Sequence, residues 1–316
     1  MFKRLIPDSF IIILIGIIAF AALFPAKGVA LEGVGLLSNA AIFCLFFFHG
    51  LRLSHAAVWS GLKQWRLQLL ILGFVFGVMP LAGVALASTF AFALPPQLWI
   101  GVLFLCALPS TVQSAIAYSS IGGGNVAASL IAAAVSNLLG IILTPLIVAV
   151  MLKVSGADVG LSAIVKIATL LLLPFILGQV MQRWLSAWAQ RHKVWISRMD
   201  KLTIGLAVYA AFSAAAGLWA SVSLLQLLSL SLIVALLLLF AMIASWVLGG
   251  QFGFSREDRI TLLFSGSHKT LATGAPMARI LFPGAEAGLI IIPLMLYHQL
   301  QLIISAWLAA RLNRST

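Results

Sequence analysis

The sequence predicts an all-helical membrane protein with ten transmembrane helices, arranged as two inverted five-helix repeats. Three observations lead to this fold class. Of the 316 residues, 63% are hydrophobic and 8% are charged, and the mean hydropathy is +1.16. The apolar residues form long separate runs, and polar residues interrupt two of these runs halfway. A soluble fold of this length could not bury so much apolar surface, so a lipid bilayer is the expected environment.

Hydropathy divides the chain into candidate spans, each about long enough to cross a bilayer core of roughly 30 Å. The ten spans cover residues 8–26, 34–54, 66–91, 97–121, 125–152, 161–187, 201–220, 224–250, 259–282 and 286–310. The first apolar run resembles a signal peptide, but the spans that follow it favour a retained first helix.

The basic residues predict the orientation of these spans. With a cytoplasmic N-terminus, fourteen of the 19 Lys and Arg residues fall on the cytoplasmic side, four fall on the opposite side and one lies within a span. The fourteen are Lys3, Arg4, Arg52, Lys63, Arg66, Arg183, Arg191, Lys193, Arg198, Lys201, Arg256, Arg259, Arg311 and Arg314, and the four are Lys27, Lys153, Lys166 and Arg279. This bias predicts that both termini are cytoplasmic. It also accounts for the net charge of +12 without a nucleic-acid partner.

Spans 4 and 9 differ from the others because polar residues interrupt them at mid-depth. In "LFLCALPSTVQSAIAYSSIGGGN" the predicted break is at Pro109, and in "LLFSGSHKTLATGAP" it is at Gly266. Each broken span is the fourth of five, and because five is odd the two sets must be inverted. The sequence therefore predicts repeats over residues 1–152 and 153–316, whose broken helices meet at a binding site near the bilayer midplane. A purely structural kink is the alternative for either break.

The acidic residues exclude several mechanisms. All seven Asp and Glu residues fall at span ends or in loops, so no buried carboxylate is available for a protease dyad, a proton relay or a strong cation site. The histidines lack the spacing of metal ligands, and we expect neither a metal nor a cofactor. An intramembrane hydrolase with Ser265 or Ser267 as nucleophile is the enzymatic alternative. We do not expect an enzyme, because no GxSxG motif is present.

His268 and Lys269 are the main candidates for chemistry. A charge within a membrane span costs at least ~3 kcal/mol on insertion scales, and such residues are functional candidates. Alternatively, Lys269 could cap a broken helix by donating to free carbonyl groups. The expected hydrogen-bonding ligands beside these two residues are Gln113, Ser114, Ser267 and Thr270, and the second candidates are Ser129, Asn137, Gln299 and Gln301.

Four stretches carry a resemblance to a known family: "LFFFHGL" at 45–51, "GGNVAAS" at 123–129, "SHKTLATGAPMARILFPG" at 267–284 and "IPLMLYHQLQL" at 292–302. On these stretches the chain resembles the bile acid:sodium symporter superfamily, in the divergent branch that includes the vertebrate member 7 protein. The resemblance implies ten helices. A core of spans 3–5 and 8–10 would contain the crossing broken spans 4 and 9, and spans 1, 2, 6 and 7 would form a panel.

The chain departs from the family pattern at the positions where the resemblance implies sodium ligands. Sodium-coupled members carry a Ser-Asn pair in span 4, where this chain has Gln113 and Ser114. At the positions of a further Gln, Thr, Glu and Gln it has Val75, Ala133, Phe264 or Ser265, and His268. Ser129 fits a family Ser ligand, but most of the other ligands of both sodium sites are expected to be missing. Lys269 would be a built-in cation that satisfies the carbonyl groups that otherwise hold sodium.

Together these observations predict a secondary transporter of the bacterial inner (plasma) membrane, which works by alternating access where spans 4 and 9 cross. The expected cargo is a small or amphipathic organic anion, because Lys269 and the half-helix N-termini make the site positive. Protons are favoured over sodium as the coupling ion, and the other expected partner is membrane lipid. The alternatives are a sodium-coupled symporter of bile-acid-like solutes and a non-transporting regulator with a transporter fold.

Overall fold

The computed structural model of the protein describes residues 9–52, 64–154, 165, 168–218, 222–282 and 284–314. In these ranges every regular element is a helix, which confirms the all-helical fold class. Six of the described helices are long and apolar enough to cross a membrane: Val29–Arg52, Trp65–Thr89, Val126–Leu152, Thr169–Arg191, Leu224–Gln251 and Glu286–Asn313. The ten-span inverted repeat stays a prediction. Lys3, Arg4, Lys63 and Lys166, which contribute to the predicted orientation, lie outside the described residues.

With one exception, the described helix boundaries lie close to the ends of the predicted spans, and the predicted start of the sixth span at residue 161 lies outside the described residues. The first half of the chain forms α1 (Ser9–Leu23), α2 (Val29–Arg52), α3 (Trp65–Thr89, with a π-helical turn at Phe74–Val78), α4 (Pro96–Ala107), α5 (Gln113–Ile121) and α6 (Val126–Val154). After a π-helical turn at Ala168–Leu172, the second half forms α7 (Leu173–Arg191), α8 (Lys193–Ala214), α9 (Leu224–Gln251), α10 (Arg256–Ser267), α11 (Leu271–Leu281) and α12 (Glu286–Arg314).

The exception is α8, which begins at Lys193 rather than at the predicted residue 201. The hydropathy pattern misses these first turns because they carry basic residues, which are unfavourable in lipid but compatible with a helix. Tertiary contacts hold the turns in place. Ile196 is buried in a cluster with Leu51 and Ala189, and Asp200 forms an ion pair with Arg52 at 2.9 Å.

Glycine and asparagine set the start of α6. Gly123 has a φ of +78°, a left-handed conformation that residues with a side chain rarely adopt. Asn125 then caps α6, because its Oδ1 accepts a hydrogen bond from the backbone N–H of Ala128 at 3.0 Å. The "GGN" turn thus fixes the direction in which α6 leaves α5.

The described chain divides into two compact units. Unit 1 comprises Met1–Ser54, Asp158–Ser223 and Ala272–Ile291. Within unit 1, α2 and α7 pack with their backbones in contact, since a Cβ added to Gly50 or Gly178 would collide with the backbone of the opposite helix. The side chain of Gln179 also donates to the carbonyl oxygen of Gly50. The glycine of the "LFFFHGL" stretch therefore makes this close helix pair possible.

Unit 2 comprises His55–Ala157, Leu224–Leu271 and Ile292–Thr316. Its apolar core joins α3, α6 and α10 through buried Leu67, Ile71, Val75, Ala128, Ala132 and Leu262. Both interrupted spans lie in this unit up to residue 271, and the candidate site is built on them.

Candidate functional site

Two short non-helical segments interrupt the helices of unit 2. Break 1 is residues 108–112, between α4 and α5, and break 2 is residues 268–270, between α10 and α11. Leu108 and His268 both adopt extended backbone conformations immediately after a helix end. The two breaks are in contact, because the backbone N–H of Thr270 donates to the carbonyl oxygen of Pro109 at 3.1 Å.

A proline accounts for break 1, whereas the glycine expected at break 2 lies inside a helix. Proline has no backbone N–H and disfavours a helical conformation in the preceding residue, so Pro109 accounts for the extended Leu108. Gly266 is not itself the break, because α10 continues through Ser267. Gly266 instead makes room for a neighbour, since an added Cβ would lie 3.1 Å from the ring of Phe74. Break 2 therefore begins two residues later than the sequence pattern suggests.

Lys269 places its ammonium group among three backbone carbonyls. Nζ donates to Val75 at 3.2 Å, Cys106 at 3.0 Å and Leu108 at 2.7 Å, and the side chain is fully buried. Cys106 is in the last turn of α4, where carbonyl groups lack helical partners and carry a partial negative charge. The three N–H bonds of the ammonium are matched by three acceptors, which together form a carbonyl cage around it.

Gln301 on α12 binds both sides of the Lys269 backbone. Its Oε1 accepts from the Lys269 N–H at 2.8 Å, and its Nε2 donates to the Lys269 carbonyl at 3.1 Å. Gln301 is fully buried, and its Nε2 also lies 2.9 Å from Nδ1 of His298. One side-chain amide thus replaces the helical hydrogen bonds that break 2 loses.

Break 1 is stabilised in the same manner by α6. The N–H of Ser110 donates to Oγ of Ser136 at 2.9 Å, and Nδ2 of Asn137 donates to the Ser110 carbonyl at 2.7 Å. Thr144, further along α6, donates to the free carbonyl of Ala107 at 2.8 Å. In both breaks, the polar side chains that bind the interrupted backbone come from the second helix after the break, which is α6 for break 1 and α12 for break 2.

His268 connects break 1 to α12. Its Nε2 lies 2.7 Å from Oγ of Ser305, and its Nδ1 lies 3.0 Å from Oγ of Ser114 and 3.4 Å from Oγ1 of Thr111. The imidazole is fully buried, and two aromatic rings contact its ring edge-on. Ser305, His268 and Ser114 form a continuous chain of hydrogen bonds, which is an arrangement that can relay a proton.

The remaining predicted ligands fall into two groups. Buried Ser267 donates to the Leu263 carbonyl of its own helix at 2.6 Å, and buried Ser129 pairs with Ser265 at 3.2 Å. By contrast, Gln113 is exposed and Gln299 is half-buried, and neither side chain hydrogen-bonds to another described residue. The structure thus joins Ser114, His268, Thr270 and Lys269 at the breaks and leaves Gln113 and Gln299 outside this network.

Several residues of this network are absent from the predicted site. They are Thr111, Ser136, Tyr297 and Ser305, of which Tyr297 donates to the Ser267 carbonyl at 2.6 Å. A helical-spacing signal could have identified Ser305, because it lies four residues after Gln301 and seven after His298, on one face of α12. Among the described residues, no group of three or more His, Cys, Asp or Glu side chains could hold a metal ion.

Comparisons with known proteins match almost the whole chain. The family model described as "SBF-like CPA transporter family" matches residues 8–314. The chain is 45% identical over 314 residues to "Uncharacterized protein PA2026" of Pseudomonas aeruginosa, and 42% identical over 311 residues to "Putative symporter YfeH" of Escherichia coli strain K12; each match covers 98% of this chain and 94% of the relative. It is 28% identical over 315 residues to "Sodium/bile acid cotransporter 7" of Danio rerio, covering 96% of this chain and 93% of the relative.

These matches confirm the family resemblance found in the sequence motifs, and they confirm that the chain is of a transporter class rather than an enzyme class. The broken helices, the apolar spans and the match over residues 8–314 agree with one another. The protein therefore belongs to the SBF-like CPA transporter family.

Proposed function

We propose that the protein is a secondary transporter that moves a small or amphipathic organic anion across the bacterial inner membrane by alternating access. One observation carries the proposal: the Lys269 ammonium donates to three carbonyl groups that belong to α3, α4 and break 1. In this proposal the lysine takes the place of a dissociable sodium ion. A tethered cation satisfies the carbonyl cage without a sodium gradient.

The fixed charge supports an anionic cargo. Within the described residues of unit 2 the only carboxylates are Glu257 and Asp258, in the first turn of α10. Asp258 is eleven residues from Lys269 (269 − 258), roughly 16 Å along a helix at 1.5 Å per residue. The Lys269 ammonium therefore has no carboxylate partner among the described residues of unit 2. All three ammonium N–H bonds go to carbonyls in this structure, so the charge attracts an anion electrostatically rather than by direct contact.

The inverted repeat is supported by the matching side-chain hydrogen bonds to the backbone of the two breaks. Break 1 is bound by α6 and break 2 by α12, which are the helices that follow spans 4 and 9. We propose repeats over residues 1–152 and 153–316 with cytoplasmic termini. We also propose a core of spans 3–5 and 8–10 and a panel of spans 1, 2, 6 and 7.

Protons are the proposed coupling ion. His268 lies between Ser114 and Ser305 in a continuous hydrogen-bonded chain, and Lys269 is the adjacent residue. A lysine can exchange its proton, whereas an arginine at the same position would keep its charge throughout the cycle. We therefore expect Lys269→Arg to bind the cargo and to fail to complete the transport cycle.

A sodium-replacement experiment tests the proposal. A thermal-shift screen of anionic metabolites on the purified protein first identifies a cargo. Its uptake is then measured in proteoliposomes at fixed pH, with the membrane potential clamped by valinomycin and with sodium replaced by choline. Because Lys269 occupies the carbonyl cage, we expect the uptake rate to stay within about twofold. A tenfold loss of uptake without sodium would overturn the tethered-cation proposal.

A second candidate, a sodium-coupled symporter of bile-acid-like solutes, is favoured by the name of a relative. The Danio rerio relative is called "Sodium/bile acid cotransporter 7" and is 28% identical to this chain. The same experiment separates the two candidates. Sodium-dependent uptake of taurocholate would favour this second function, whereas sodium-independent uptake of another anion would favour the first.

A further inference from the structure

Unit 1 contains a second cation that the proposed mechanism does not use. Arg279 is half-buried in the last turn of α11. Its Nε atom is buried and has no hydrogen-bond partner in the part of the chain that the structure describes. Among the described residues the only ion pair joins Arg52 to Asp200, so Arg279 has no carboxylate partner there. A buried polar atom without a partner is costly, and a ligand that supplies the missing acceptor would offset the cost.

Helix α2 makes room for the Arg279 head group. A Cβ added to Gly35 would lie only 2.9 Å from Nη2 of Arg279, so the guanidinium lies directly against the backbone of α2. Ser38 is one helical turn further along the same face of α2. It is fully buried, and its hydroxyl has no hydrogen-bond partner among the described residues. Arg279 of α11 thus packs against Gly35, and the unpartnered Ser38 hydroxyl is one turn further along α2.

The nearest acidic residue along α2 does not neutralise this arginine. Glu32 is one turn before Gly35, but its side chain is exposed and forms no ion pair with Arg279. Nε of Arg279 therefore stays a buried donor, and Glu32 does not form an ion pair with it.

We infer that Arg279, Gly35 and Ser38 form an oxyanion-binding site in unit 1. The planar guanidinium offers parallel N–H donors that suit a carboxylate, sulfonate or phosphate group, and the Ser38 hydroxyl adds one more donor. The oxyanion belongs either to a free organic anion or to a lipid headgroup. The site uses no residue of the two breaks, so it stands whether or not Lys269 replaces sodium.

The test measures binding by the full-length protein in nanodiscs. Inorganic phosphate is titrated by calorimetry into protein in phosphatidylcholine nanodiscs, which reports a free-anion site. In a second arm, retention of phosphatidylglycerol is measured by native mass spectrometry, which reports a headgroup site. We expect Arg279→Met to weaken binding at least about tenfold, a loss of about 1.4 kcal/mol, in the arm that shows wild-type binding. Arg279→Lys keeps the charge without the planar fork, and should lose about threefold.

Gly35→Ala provides a test that keeps the arginine. The added Cβ would meet the far end of a flexible side chain rather than a backbone, so we expect the protein to fold with a displaced guanidinium and to bind about threefold more weakly. Arg183→Met is the matched control, because Arg183 is exposed and stacks on Trp184 at 3.7 Å. We expect it to bind as wild type does.

Glu32→Gln tests the competing explanation, in which Glu32 is the true partner of Arg279. An oxyanion site predicts unchanged or tighter binding when this carboxylate is removed. Wild-type binding in both arms by Arg279→Met, or by Gly35→Ala if Arg279→Met does not fold, would overturn the inference. Equal destabilisation by Glu32→Gln and Arg279→Met, with binding unchanged, would also overturn it by identifying a structural pair.

Discussion

At break 1, Ser136 and Asn137 of α6 bind the backbone N–H and C=O of Ser110. At break 2, Gln301 of α12 binds the backbone N–H and C=O of Lys269. The two breaks are equivalent in this respect. In each, the N–H and the C=O of one central residue are bound by side chains of the second helix after the break. The breaks differ in charge. Break 1 and the end of α4 provide carbonyl acceptors, and break 2 provides the ammonium that binds them.

The difference separates a structural requirement from a functional candidate. Backbone groups that a break exposes in the membrane must find partners, and neutral side chains satisfy the N–H and the C=O of Ser110 and of Lys269. The Lys269 ammonium binds the carbonyls of Val75, Cys106 and Leu108, of which Leu108 belongs to break 1. We propose that the ammonium of Lys269 also has a role in transport, besides satisfying these carbonyls, and substitutions at the two breaks can test this proposal.

The largest effect is expected from Lys269→Ala. It empties the carbonyl cage, so we predict that anion uptake falls at least about tenfold. It also removes the atoms between Cβ and the ammonium, which leaves space for a small alkylammonium ion. We expect propylammonium to restore part of the uptake in Lys269→Ala proteoliposomes.

Lys269→Met is the matched control for this rescue, because its longer side chain fills the space and should prevent rescue. A variant Lys269→Ala that transports as well as wild type would show that the lysine only caps a helix end. In that case the difference between the two breaks would carry no function.

Much of the site could be predicted from the sequence, because its signals are local. Pro109 and the polar residues around it interrupt an apolar run, and Lys269 is a charge in the middle of another. The partners of those residues could not be predicted in the same way. That the Val75 carbonyl accepts from Lys269 depends on packing around a π-helical turn of α3. That Gln301, rather than Gln299, binds the Lys269 backbone depends on the rotation of α12, which hydropathy does not fix.

A medium effect is expected from Gln301→Leu, which removes the two hydrogen bonds that Gln301 makes to the Lys269 backbone and leaves the Lys269 carbonyl only His298 Nδ1 at 3.4 Å. Each buried backbone group left without a partner costs about 1–3 kcal/mol, so we predict a loss of roughly 2–6 kcal/mol in the free energy of unfolding. Ser136→Ala at break 1 removes one such bond and should cost about half as much. Thermal unfolding of the purified variants in detergent measures both losses.

Gln299→Leu is the control for Gln301→Leu, because Gln299 is half-buried on the same helix and its side chain makes no hydrogen bond to another described residue. Its unfolding midpoint should stay close to that of wild type. If Gln299→Leu and Gln301→Leu lose the same stability, the loss comes from helix packing rather than from the backbone of break 2. The equivalence between the breaks would then fail.

The smallest effect on stability is expected from Gln113→Ala. Its effect on transport decides whether Gln113, the residue directly after break 1, is a cargo ligand. Gln113 is exposed at the start of α5, and its side chain has no hydrogen-bond partner among the described residues. Surface substitutions of this kind change the free energy of unfolding by no more than about 0.5 kcal/mol. A hydrogen bond to the cargo contributes about 0.5–1.5 kcal/mol, so we predict that KM for uptake rises about two- to tenfold while the maximal rate is unchanged.

Ser120→Ala is the control, since Ser120 is exposed two turns further along the same face. An unchanged KM for Gln113→Ala would mean that break 1 contributes only its backbone carbonyls, and the site would then depend on the side chains of break 2 and on Ser114.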